Sequence, residues 1–250
     1  MIVRALKINR VSLNACTLLD LLDEYVTEFP EHTVLAITSK IVSLCEGSAV
    51  PVDSIDREEL IRREAASYVE LPDSEYPITF TVMHSTLVPN AGVDESNADG
   101  AFVLWPHDPQ ATANMVRAYL CKRFTVREVG VVITDSTVQP LRWGMGGVSI
   151  AHSGFKEVRD YRGEPDLFNR PFVMETAAIA GGLAAAAVLA MGEGTECTPL
   201  AVLADIPFVE FQDRDPLPFE LAAFKISLDD DLYSPIWKAV EWQPGTITER

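Results

Sequence analysis

Cysteine is scarce in this 250-residue chain: Cys16, Cys45, Cys121 and Cys197 are the only four, and none forms a C-x-x-C pair. That spacing gives no support to a zinc ribbon or a disulfide framework and makes reduced thiols the default. Long apolar runs are missing as well. The most apolar stretch, 177–191, is broken by Gly181-Gly182 and is shorter than the roughly 18–20 residues that span a bilayer. It reads as a small-residue core helix. The segment Met1 to Lys7 reads as a strand and carries no signal-peptide core. Positive charge is in short supply: 20 Lys and Arg stand against 37 Asp and Glu, a net charge of −17. Such an excess repels phosphate backbones at long range, so nucleic acid is not expected as a partner, while a local pocket for one nucleotide is still allowed. A cytoplasmic protein without a membrane partner is expected.

Familiar catalytic signatures are also absent. The chain has no G-x-x-x-x-G-K-[ST] loop, and Gly144-Met145-Gly146-Gly147 falls short of a dinucleotide fingerprint. It has no G-x-S-x-G elbow and no H-E-x-x-H. The histidines His32, His84, His107 and His152 show no ligand spacing and read as surface or core residues.

What is present is an ordinary globular composition, with 48% hydrophobic and 23% charged residues, which excludes a disordered chain. Helical periodicity runs from Thr17, a plausible cap, to Phe29. Residues 33–38 read as a buried strand delivering Ser39 and Lys40 to its end. A charged helix is expected over 56–70, and strands over 78–83 and 128–134. Asp108-Pro109 opens the clearest helix, running to about Phe124. An Ala-rich helix is expected from about Phe172, and a further strand over 200–203. The mixture predicts an α+β fold of mixed sheets with packed helices: one domain over 1–250, with 213–250 as a short C-terminal extension.

Two aspartates stand out. Asp94 lies in Asn90-Ala91-Gly92-Val93-Asp94-Glu95-Ser96-Asn97, and Asp135 ends the apolar run 131–134 and is followed by Ser136. Each reads either as a turn former or as a cation ligand. Were the two carboxylates about 4 Å apart, their repulsion would be on the order of 4 kcal/mol at an effective dielectric near 20, so the pair would need a proton or a cation. Lys40 reads as a phosphate contact or as a strand-edge lysine. Arg142, and Arg162 with Asp160, read as substrate clamps or as structural ion pairs.

The ordered set of motifs resembles the coenzyme F-420 γ-glutamyl ligase family, the CofE-like proteins. It comprises Thr38-Ser39-Lys40-Ile41-Val42-Ser43, the Asn90–Asn97 element, Pro106-His107-Asp108-Pro109, Ile133-Thr134-Asp135-Ser136 with Pro140 and Arg142, and Asp160-Tyr161-Arg162-Gly163. The resemblance implies GTP-dependent ligation of L-glutamate onto a deazaflavin acceptor, two Mg²⁺ or Mn²⁺ ions, and an intertwined homodimer. It implies Asp94 and Asp135 as ligands of one ion, Ser136 as ligand of a second, and Ser39, Lys40 and Asn97 as nucleotide contacts. The chain departs from the family pattern at Leu13 to Cys16, Leu44, Ser48, Val138, Gln139, Leu141, Ala204 and Asp205. Several of the replaced residues are cationic, which raises the expectation of a different carboxylate acceptor, such as polyglutamate, a peptide or a protein end. A metal-dependent NTPase and a non-catalytic nucleotide-binding relative are the alternative readings.

Overall fold

The computed structural model describes residues 1–71, 76 and 78–247. The first third of the chain forms β1 (Ile2–Leu6), α1 (Leu18–Tyr25), β2 (Val34–Thr38), α2 (Ser39–Glu46), β3 (Ala49–Pro51), α3 (Arg57–Glu64) and β4 (Ser67–Glu70). The middle forms β5 (Thr79–Met83), β6 (Thr86–Pro89), β7 (Ala101–Val103), α4 (Pro109–Phe124), β8 (Gly130–Val138) and β9 (Met145–Ser153). The remainder forms β10 (Val158–Asp160), β11 (Thr176–Ala178), α5 (Ile179–Met191), β12 (Leu200–Ala204), α6 (Pro218–Phe224), α7 (Ser234–Trp237) and β13 (Gln243–Pro244). The result is a mixed α/β architecture of several sheets with packed helices.

The main sheet has the order β1-β12-β2-β8-β9, and β2 with β8 is its parallel pair. Helices cover both faces. Leu35 and Ile37 of β2 pack with Leu22, Val116 and Leu120 on one side. Val34 and Ala36 pack with Ala180, Ala184 and Ala187 of α5 on the other. A strand buried on both faces has no polar side to show, which explains the unbroken apolar run of β2. The Ala-rich sequence of α5 permits a close approach: a Cβ on Gly147 of β9 would lie 2.4 Å from the Ala184 carbonyl oxygen. Among the described residues no helix is long and apolar enough to cross a membrane.

A second sheet, β13-β4-β5-β6, packs with α3 around Leu60, Ile61, Phe102 and Trp105. Small two-stranded sheets, β3-β7 and β10-β11, complete the architecture.

Local signals set the helix starts. Thr17 and Asp20 form a reciprocal capping box at α1, and the Asp108 side chain accepts from Ala111 N at α4, with Pro109 in the first turn. Three expected helices are shorter than their periodicity suggests, the first being α1, which stops at Tyr25 rather than Phe29 because Val26 is already extended. The α3 helix stops at Glu64, because 67–70 pairs with β5, Ser67 opposite Val82 and Glu70 opposite Thr79. The α5 helix starts at Ile179 rather than near Phe172, because 176–178 pairs with β10. All four cysteines are free thiols. Cys16 and Cys45, distant in sequence, come together here, and burial, reinforced by the neighbouring Cys16, pushes the Cys45 thiol up to about 12.

Candidate active site

The site grows from the parallel register of β2 and β8. Thr38 lies opposite Thr134, the last pair of the parallel register, so the next residues, Ser39 and Asp135, emerge side by side where β2 ends and β8 continues alone with β9. Polar groups in open sheets gather at such edges. A bulge in the β8-β9 ladder between Ile133 and Thr134 falls one residue before Asp135. Bulges re-aim side chains in this way. Ser39 begins α2, and Thr38 caps that helix by accepting from Ile41 N. Ser39 Oγ donates to Asp135 Oδ1 at 3.2 Å.

Asp94 arrives from a different direction. Asn90, Ala91 and Gly92 take three successive positive φ values of 54°, 52° and 66°. The turn is secured from below: Asn90 Oδ1 accepts from Thr79 N at 2.9 Å, and Ala91 N donates to the buried Thr81 Oγ1 at 2.8 Å. Gly92 is required on two counts, since a Cβ there would also sit 2.3 Å from Trp105 Nε1. The space it leaves is filled by that indole, which donates a short hydrogen bond to Asp135 Oδ2. The Asn-Ala-Gly stretch therefore positions Asp94 directly and Asp135 through Trp105.

The two carboxylates sit in opposite electrostatic environments. Burial pushes Asp94 up, but the Lys40 ammonium and the Ser96 backbone and hydroxyl donors outweigh it, leaving its carboxyl below the ordinary range. Lys40 Nζ forms a short ion pair with Asp94 Oδ2 and donates to Ser96 Oγ at 2.9 Å. Asp135 has only neutral donors: burial raises it to about 6 against the hydrogen bonds of Ser136, Trp105 and Ser39, and the nearby Asp94 charge adds to the rise. The one lysine is thus spent on Asp94, and Asp135 beside it has no counter-charge. A divalent cation fits that deficit, because Mg²⁺ needs only one or two protein carboxylates and completes its shell with phosphate oxygens and water. No group of three His, Cys, Asp or Glu gathers among the described residues.

The loop after α5 closes the rim. Ser136 Oγ lies 2.9 Å from both carboxylate oxygens of Glu193, and Asn97 Nδ2 donates to the Gly194 carbonyl at 3.3 Å. The structure therefore brings Ser39, Lys40, Asp94, Asn97, Asp135 and Ser136 to one rim. Arg142 lies elsewhere, on the tip of the β8-β9 hairpin, bonded to the Leu141 carbonyl at 2.8 Å. Arg162 and Asp160 satisfy each other on the exposed β10-β11 arm, at 2.7 Å. Sequence reasoning missed Trp105, Ser96 and Glu193. Trp105 stands directly before the Pro106–Pro109 motif, and a tryptophan between a strand and a helix cap was its one available signal.

The description "F420-0:Gamma-glutamyl ligase" fits a family model matching residues 11–205 of this chain. The chain belongs to that family. Relatives include a "Coenzyme F420:L-glutamate ligase" of Methanopyrus kandleri, 37% identical over 194 residues, covering 70% of this chain and 75% of the relative. Proteins of the same name from Halobacterium salinarum and Methanocaldococcus jannaschii are 38% and 31% identical, covering 75% and 78% of this chain and 79% and 85% of their own. Membership places the chain among glutamate ligases, as its motif order implied. The expectation of a different acceptor finds no support: these relatives are named for coenzyme F420. The fold supplies a structural reason for one departure, since Leu44 is a buried member of the main core.

Proposed function

We propose that this protein uses GTP to join L-glutamate to the carboxylate of coenzyme F420-0, by way of an acyl phosphate. The observation that carries the reading is the nearness of Asp94, paired with Lys40, to the uncompensated Asp135, beside the N-terminus of α2. In this reading Asp94 and Asp135 hold Mg²⁺ or Mn²⁺, with Ser136 directed to a second ion. Once bound, the ions spread the charge that develops on phosphate oxygens during transfer. Ser39, Lys40 and Asn97 contact the nucleotide. Lys40, which pairs with Asp94 in the structure, would turn to phosphate oxygens were that carboxylate to hold a cation.

An acceptor carboxylate oxygen attacks the γ-phosphorus and GDP departs. The glutamate amine then attacks the acyl carbon, inorganic phosphate leaves and the amide forms. Arg142, which has no carboxylate partner among the described residues, is assigned to clamp a substrate carboxylate. The reading leaves out Arg162 and Asp160, whose pair is complete without a substrate. The active unit is taken as a homodimer in which a second copy covers the arm carrying Leu167, Phe168 and Val173, now 98%, 77% and 76% exposed. Residues 213–250 are taken as an extension of a single ligase unit.

The test is incubation with GTP, Mn²⁺, L-glutamate and F420-0, followed by mass spectrometry and a phosphate assay. Glutamate-dependent phosphate release with a product heavier by one or more glutamyl units is expected. Phosphate release indifferent to glutamate, or nucleotide bound without turnover, would overturn the proposal.

A further inference from the structure

Strands β5 and β6 meet in a two-residue turn, His84-Ser85, with Met83 opposite Thr86. Both turn residues lie in the left-handed region, at φ 45° and 60°. Such a turn forms with least strain from Asn-Gly or Asp-Gly, because both central positions need positive φ. This chain places an imidazole and a hydroxyl there instead. Histidine tolerates the conformation better than most side chains, yet the pair still carries strain that Asn-Gly would avoid.

What the imidazole adds is a contact. The His84 ring lies stacked on Trp105, with centroids 6.1 Å apart and planes within 9° of parallel. Rings so nearly parallel at that separation are offset, an arrangement that aromatic pairs favour. Trp105 is buried, so the orientation of its indole is set by what packs on it. That orientation matters, because the indole N–H donates to Asp135 Oδ2. The same hairpin also serves the other carboxylate. At the far end of β5, Thr79 N donates to Asn90 Oδ1 and Thr81 Oγ1 accepts from Ala91 N, which secures the turn before Asp94. One end of the hairpin thus holds the approach to Asp94, and the other touches the ring that holds Asp135.

We infer that His84 is a positioning residue for Asp135: its ring fixes the Trp105 indole in the orientation from which the N–H meets the carboxylate. The β5-β6 hairpin then sets the geometry of both carboxylates. The inference rests on the reading of that pair as the cation site of a glutamate ligase, and its test has a readout that needs neither cation nor turnover.

Exchange of the Trp105 indole N–H with deuterated solvent is followed by nuclear magnetic resonance in metal-free protein, its signal being the indole peak absent from W105F. Two variants set the turn against the ring. H84N suits the left-handed turn and removes the ring, whereas H84F keeps a ring and fits the turn less well. The indole of H84N is expected to exchange about two- to tenfold faster than that of the wild type, the scale of one stacked pair, while Tm is kept or raised. H84F is expected to keep slow exchange and to melt lower. Mn²⁺ affinity of the GTP-bound protein should fall by a similar factor in H84N, and H84N should have no further effect in a W105F background.

Wild-type indole exchange in H84N would overturn the inference. So would exchange that follows Tm, faster in the less stable H84F than in H84N, which would leave His84 as a turn residue alone. An equal loss of Mn²⁺ affinity from H84N with and without the indole would overturn it too, since His84 would then act by another route. If the wild type adds glutamate to F420-0 and H84N exchanges like the wild type, the positioning alone fails. If the wild type adds none while H84N still frees the indole N–H, the ligase reading alone fails.

Discussion

Asp135 and Asp160 are both strand-borne aspartates, yet they occupy opposite chemical worlds. Asp135 takes its partners from 96 and 30 residues away, Ser39 and Trp105, and burial raises it to about 6. Asp160 takes its partner from two residues away, and the bidentate Arg162 guanidinium pulls it down to about 2 on an exposed arm. The first carboxylate is held at a cost by distant parts of the fold. The second is settled by its own neighbour. An aspartate becomes chemically available where long-range contacts bury it without supplying a counter-charge, and a motif alone does not show which case applies.

The largest test of that contrast is the pair of substitutions Asp135→Asn and Asp160→Asn. Losing one electrostatic stabiliser lowers turnover by about 10²-fold or more, so D135N is expected to fall by at least that factor in a steady-state assay. D160N is expected to turn over like the wild type. A comparable loss in both would erase the distinction. Next in size is Trp105→Phe, which keeps an aromatic ring over Gly92 but removes the donor to Asp135. Loss of an outer-shell partner of a metal ligand typically weakens the metal about 10- to 100-fold, and W105F should show this in Mn²⁺ affinity while keeping its melting temperature.

The pH dependence of stability separates the two aspartates again, at smaller magnitude. The folded pKa of Asp135, about 6, lies above its ordinary 3.8, so the contribution of this group is fully present below that ordinary value and is lost as pH rises through about 6. Metal-free wild type should therefore lose on the order of 1–3 kcal/mol between pH 4 and pH 7 from this group, and D135N should not. Urea unfolding in chelator at the two pH values measures the difference. Asp160 runs the other way: its folded pKa of about 2 lies below 3.8, so its contribution is present above that value and is lost as pH falls through about 2. As an exposed pair it should leave little trace in the same experiment.

The same divide, local against long-range, decides how much was legible in the sequence. Thr17 and Asp108 announced their helices because a cap and its helix are contiguous, and the apolar first half of β8 was visible, although the strand runs on past Asp135 to Val138 because 135–138 pairs with β9. The pairing that turned 67–70 and 176–178 from helix to strand was not, because the partners β5 and β10 lie elsewhere in the chain. At the site, the ordered motifs named Asp94, Asp135, Ser39, Lys40, Asn97 and Ser136, and the fold gathers all six at one rim. Trp105 and Glu193 escaped because each acts through a single long-range contact, to Asp135 and Ser136. Arg142 and Arg162 carried the same charge signal as Lys40, but only Lys40 is delivered to the rim, by the helix that begins where β2 ends.

The central claim is that Asp94 and Asp135 together hold a divalent cation. Titration of Mn²⁺ into the GTP-bound protein, followed by the loss of free-ion electron paramagnetic resonance signal, tests it most directly. The account predicts affinity at least tenfold weaker in D94N and in D135N, with D160N matching the wild type. Unchanged affinity in both site variants would contradict it.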